Sequence, residues 1–200
     1  LYVMPQDAAD PDGRTYNLAY EEYGINLLGS SHVVVRGFEI RFCSRSGINI
    51  AGGSKGCVAI ENEVHNAQLG ITFADETTEG NAVWRNHVYE EGLVDFSWAA
   101  IKASRYGRQG IAGKAGRGQS ICHNRVHGWF DGIVPASWQC PNELWANRDM
   151  DVMENLIYNI GDDAIEIDGG GVNMRLHRNL MRNVFAAMSL APVERGPVYC

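Results

Sequence analysis

The chain has 200 residues, 45% of them hydrophobic, and a formal net charge of −7. That is enough apolar content for one domain with a real core, and the acidic balance argues against a general nucleic-acid binder. No apolar run approaches the ~18 residues of a membrane-spanning helix, and 23 glycines against six prolines suit a turn-rich β architecture.

Residues 1–31 read as an irregular N-terminal segment packing on the helical solenoid of strands beyond it. Asp10-Pro11-Asp12-Gly13 is a turn signal, and Tyr2, Tyr16, Tyr20 and Tyr23 fit packing beside a first coil. From His32 the strands begin, with Val33-Val34-Val35, Phe38-Glu39-Ile40 and Gly47-Ile48-Asn49-Ile50. Asparagines then recur at Asn62, Asn86, Asn124, Asn155 and Asn179. Three residues before each stand Ala59, Val83, Ile121, Val152 and Leu176; two after each stand Val64, Val88, Val126, Ile157 and Met181. One before each is polar: Glu61, Arg85, His123, Glu154 and Arg178.

This pattern puts an asparagine at a bend between two inward-facing strands. Asparagine tolerates the left-handed backbone of a tight bend, and its amide can bond the same residue one coil away. A helical reading fails, because 3.6-residue periodicity is absent. The expected fold is all-β, a right-handed parallel β-helix over 32–200 with coils of about 24 residues. Both ends are abrupt, so the chain reads as an excerpt of a longer solenoid, or one capped by missing chain segments or an oligomer.

With its asparagine ladder, the chain resembles the pectin-lyase-like β-helix superfamily. That superfamily includes polysaccharide lyases, glycosidases, esterases, tailspikes and adhesins. The resemblance implies an extracellular or cell-surface location.

Spacing also marks decorations. Asn86 to Asn124 is 38 residues and Asn124 to Asn155 is 31, so loops are inserted in both coils, and such loops commonly form a binding face. Asp131 and Asp162 each lie seven residues after their asparagine, in one column of adjacent coils, about 5 Å apart. Asp163 is an extra residue in its coil, as at a β-bulge. Carboxylates so close cannot all ionise cheaply, so one should become a general acid. Trp129-Phe130-Asp131-Gly132 and Gly161-Asp162-Asp163 resemble polygalacturonase motifs, which would make Asp131, Asp162 and Asp163 the catalytic carboxylates. Where that family has a His-Gly motif, this chain has Ala186-Ala187-Met188.

Between Asp95 and Asp131 the charged residues are all basic: Lys102, Arg105, Arg108, Lys114, Arg117 and Arg125. The first five are expected to bind an anionic polysaccharide, with Trp129 and Trp138 stacking on its sugar rings. Hydrolysis needs no cofactor. A lyase would use calcium, held by the aspartates or by Glu166 and Asp168, and a base such as Lys102, Lys114 or Arg117. A non-catalytic glycan-binding or structural β-helix is the remaining reading. His65, Tyr89, His127 and Tyr158 share a column expected to be an outward aromatic stack. Five cysteines lack zinc-site spacing; Cys43–Cys57 and Cys122–Cys140 bridges and plain buried thiols are both open.

Overall fold

The computed structural model describes residues 20–91, 97–103, 108–113, 116–136, 147–190 and 193–200. The chain winds as a right-handed parallel β-helix. One line of strands comprises Tyr23–Leu28, Ser46–Ala51, Leu69–Ala74, Gln109–Gly113 and Asp131–Val134. A second comprises Glu39–Arg41, Glu63–His65, His87–Tyr89 and Arg125–His127. The long strand Leu156–Glu166 turns the corner between the two lines and joins them in one sheet, to which Leu180–Ser189 adds. The opposite wall is a seven-stranded parallel sheet from Val34–Arg36 to Val198–Tyr199.

The interior is built from stacked aliphatic columns. Ile48, Ile71, Ile111, Ile133 and Ile165 pair in register from coil to coil, and all are fully buried. Val64, Val88, Val126 and Ile157 form a second such column. Burying each of these side chains contributes about 1.5–3 kcal/mol.

The asparagine ladder is present, and its bend differs from expectation by one residue. The left-handed conformation belongs to Glu61, Arg85, His123, Glu154 and Arg178, with φ between 54° and 58°. Each asparagine is thereby left free to bond along the solenoid. Asn86 donates both its backbone N–H and its amide to Asn124 Oδ1, at 2.9 and 3.1 Å, and its amide also reaches Ala59 O. A shorter polar ladder was not anticipated: Cys57 N–H bonds Asn81 Oδ1 at 2.8 Å, and Asn81 N–H bonds Gln119 Oε1 at 2.8 Å.

The solenoid also begins earlier than residue 32. Tyr23–Leu28 pairs parallel with Ser46–Ala51, placing Ile25 beneath Ile48 and Leu27 beneath Ile50. Three residues of alternation were too few to separate this strand from an irregular segment. Tyr20 is exposed rather than packed, while Tyr2 and Tyr16 lie outside the described residues. Cys43, Cys57 and Cys122 are buried free thiols, so the Cys43–Cys57 bridge does not form; Cys140 lies outside the described residues.

One residue before the isoleucine column, Gly24, Gly47, Gly70, Gly110 and Gly132 stack. A Cβ on Gly70 would run into the carbonyl oxygen of Gly110 and into Val88 Cγ1. Gly70→Ala should therefore lower unfolding free energy by about 3 kcal/mol, measured by urea denaturation, although alanine is a common β-core residue. An unchanged midpoint would mean that the coils can separate at little cost.

Candidate active site

The acids expected to converge do so. Asp131 and Asp162 are buried, at 6% and 5% exposure, and Asp163 is half-buried. Each of the three offers a carboxylate oxygen within 4.8 Å of the others. The local fold explains this. Gly161 and Asp162 donate their N–H groups to Trp129 O and Phe130 O, at 3.0 and 2.8 Å, which stacks one corner on the other. Pairing with the next strand then shifts register between Ile160 and Asp163. The extra residue is a β-bulge, and it turns both Asp162 and Asp163 toward Asp131.

Burial, then the charge of Asp162, pushes Asp131 up to about 7, with Lys102 opposing the rise. Lys102 comes from the short helix Trp98–Ala103 in the first insertion, and its ammonium lies 2.7 Å from Asp162 Oδ2. That bond is the main reason its pKa is raised, so Lys102 holds its proton. Glu166 was expected to be a solvated or calcium-binding group. Instead burial first, then Asp131, Asp168 and Asp163, push it up to about 8. Asp168 accepts a hydrogen bond from Ser189 Oγ at 2.7 Å. Among the described residues neither joins the trio with metal-binding geometry.

Among the described residues the basic block does not gather into one patch. Arg108 pairs with the buried carboxylate of Glu90 at 3.1 Å, though its carbonyl accepts Asp131 N–H. Arg117 pairs with Asp149 at 2.9 Å, in the bridge column linking Glu79 to Arg148 and away from the acids. Arg125 reaches Tyr158 Oη at 2.8 Å. Two carboxylates and a tyrosine elsewhere on the solenoid claim these cations, and only Lys102 reaches the trio among those described. Arg105, Lys114 and Trp138 lie outside the described residues. Trp129 is 1% exposed and donates its indole N–H to Val88 O at 3.2 Å, so its ring belongs to the core and not to a sugar-stacking surface.

The accessible aromatics in this region are Trp98 and Phe185, whereas Phe130 is as buried as Trp129. A groove of about 520 Å³ abuts this corner at Phe130 and Gly161, the residues just before Asp131 and Asp162; Trp98, Ile101, Asn183 and Phe185 also line it, and the three acids themselves do not. Trp98 lies 6.4 Å from Phe130 and 6.3 Å from Phe185, ring centre to ring centre. Lys102 sits over both Trp98 and Phe130. Trp98 was foreseeable as a groove residue; Phe185 is in an apolar run with no sequence mark of exposure.

The model of the right-handed β-helix region matches residues 23–191. The chain belongs to the right-handed β-helix family. Among solved structures, a point mutant of the periplasmic alginate epimerase AlgG aligns with this β-helix at a TM-score of 0.63 and 19% identity. The match covers 83% of this chain and 35% of the epimerase chain, so this chain spans about a third of its length. An alginate lyase from Paenibacillus sp. str. FPU-7 aligns at a TM-score of 0.44 and 10% identity, covering 86% of this chain and 78% of the lyase. No curated protein matches the sequence. At these identities the likeness is one of fold.

The site has a stability consequence. An aspartate raised from its ordinary 3.8 to about 7 keeps a proton in the folded state that the unfolded chain has released across that window. Folding stability from this group is therefore fully present below about pH 4 and is lost as pH rises to about 7. Asp131→Asn removes that loss, so its melting temperature should gain on the parent's between about pH 4 and 7. A difference that stays constant with pH would exclude a raised Asp131.

Proposed function

We propose that this β-helix cleaves an acidic polysaccharide by hydrolysis, with Asp131 as general acid. The observation that carries this reading is a buried carboxyl poised near neutrality, within 4.8 Å of a second one that faces a lysine ammonium. Glycoside hydrolysis needs that pairing: one group gives a proton to the leaving glycosidic oxygen, and a second, ionised group acts at the anomeric carbon. Asp131 would protonate the oxygen as the C–O bond breaks. Oxygens within 4.8 Å suit the ~5–5.5 Å spacing of a carboxylate nucleophile better than the ~6.5–9.5 Å that admits a water. Asp162 or Asp163 would therefore bond to the anomeric carbon, and water would then release the sugar with Asp131 taking its proton. Trp98 and Phe185 offer exposed ring faces for sugar stacking, and Lys102 offers a counter-charge to a uronate carboxylate. The periplasmic alginate epimerase supports an anionic glycan and an extracellular or periplasmic location.

A calcium-assisted lyase is the second reading, favoured by the trio itself. Oxygens within 4.8 Å of one another fit around an ion that takes ligands at about 2.3–2.6 Å. Calcium held by Asp131, Asp162 and Asp163 would neutralise a uronate carboxylate, with Glu166 and Asp168 outside its shell. Its described base candidates are weak: Lys102 holds its proton, and Arg117 is engaged with Asp149.

Product chemistry separates the readings. Hydrolysis yields new reducing ends without an unsaturated uronate chromophore and survives a chelator. Elimination yields the chromophore and loses activity on calcium removal.

A further inference from the structure

The outer face of the second strand line carries an unbroken stack of rings. Ring centres of His65 and Tyr89, Tyr89 and His127, and His127 and Tyr158 lie 4.6, 5.2 and 4.6 Å apart, with interplanar angles of 4°, 8° and 19°. Stacked in this way, the rings cover one another's faces and leave edges to solvent, so the stripe is no platform for sugars. Edges of histidine and tyrosine carry nitrogen and oxygen donors instead. In the next column His87 stands between Glu63 and Arg125, and its Nε2 shares a 2.9 Å hydrogen bond with His127 Nε2, one of the two rings donating the proton.

We propose that His87 and His127 form a transition-metal site of the Cu2+ or Ni2+ type, separate from the carboxylate trio. Two nitrogens 2.9 Å apart subtend about 90° at an ion bonded at about 2.0–2.1 Å. That is the angle between neighbouring ligands of a tetragonal Cu2+ or Ni2+ centre. A tetrahedral Zn2+ would want the nitrogens about 3.3 Å apart. Both rings are held in place before any ion arrives: His127 lies between Tyr89 and Tyr158, and His87 stacks on Tyr89 at 4.5 Å. An ion entering between them displaces the one proton that the two nitrogens share, which leaves to solvent.

Glu63 stands in register with His87, and its carboxylate accepts a hydrogen bond from Tyr89 Oη at 2.9 Å. It contributes a negative charge beside the pair. Arg125 opposes the ion from the other side, although its guanidinium is drawn onto Tyr158 Oη and its ring. Removing that charge should strengthen binding.

The test titrates the whole chain with Cu2+ alone in a non-chelating buffer at neutral pH, read by calorimetry and electron paramagnetic resonance. The expected result is a Cu2+ centre with superhyperfine coupling to two nitrogens, present in the parent and kept in Asp131→Asn. His87→Ala and His127→Ala should each weaken that site at least ~10-fold, and Arg125→Gln should tighten it. A spectrum with only oxygen ligands overturns the proposal whatever the variants do, because it is recorded on the unmodified chain. Unchanged affinity in folded His87→Ala overturns it as well.

Discussion

Asp162→Asn is expected to lower turnover of an acidic polysaccharide by ~10²–10⁴-fold without unfolding the chain. Asparagine keeps the size of the side chain and leaves the Asp162 N–H to Phe130 O bond in place. What disappears is the charge that faces Lys102 at 2.7 Å and raises Asp131. Two changes act on Asp131 in the same direction. Its repulsion by Asp162 is gone, and the Lys102 ammonium is released to act on it. The group needed in its protonated form then titrates lower, so the alkaline limb of kcat/KM, near pH 7 in the parent, should move to lower pH. A structural defect would reduce activity equally at every pH; this account requires the limb to move.

Asn124→Ala should be the most damaging change outside the site, lowering unfolding free energy by about 4 kcal/mol in urea denaturation. The Asn124 side chain donates to Val83 O at 2.9 Å and Asn155 Oδ1 at 3.0 Å, and accepts from the Asn86 backbone and amide. All of these groups are in the interior, where water does not replace a missing partner. Alanine orphans the Asn86 N–H and the Val83 carbonyl together. Asn183 gives the contrast. It bonds Asn159 at 2.7 Å on an exposed corner, where water can take over, and Asn183→Ala should cost less than about 1 kcal/mol. Equal costs at the two positions would remove the ladder from the account of stability.

These two residues also show what the sequence could disclose. Asn124 was legible because a solenoid repeats its corner in every coil, so aligning the asparagines aligned the core on both sides. The same alignment put Asp131 and Asp162 in one column, and the count of residues exposed the bulge at Asp163. Conformation within the corner was not legible. The left-handed residue is the polar one just before each asparagine, whose identity varies because it faces solvent. The Asn81–Gln119 ladder was hidden too, though Asn81 and Gln119 each stand five residues before a ladder asparagine. Two different amides across a 38-residue gap conceal a repeat that identical residues would reveal.

Side-chain destinations across insertions were harder. Lys102 reaches Asp162 from 60 residues away, through a helix that no period predicts. Arg108 and Arg117 belonged to the same run of positive charge, yet partners on other coils hold them. Glu166 alternates with buried isoleucines, a pattern that signals a solvated group on an isolated strand. Here the neighbouring coil contributes Asp131 beside it, and the surface position becomes a half-buried one. Trp129 differed for the opposite reason, since a tryptophan next to a catalytic-looking motif carries no mark of which way it points.

The most direct test of the central claim is digestion of a panel of uronate and sulfated polysaccharides by the intact chain and by Asp162→Asn, side by side. The account predicts new reducing ends from at least one uronate polymer with the intact chain, without an unsaturated chromophore, and their loss in the variant. Equal cleavage by both proteins, or no cleavage of any polymer by the intact chain, would contradict it.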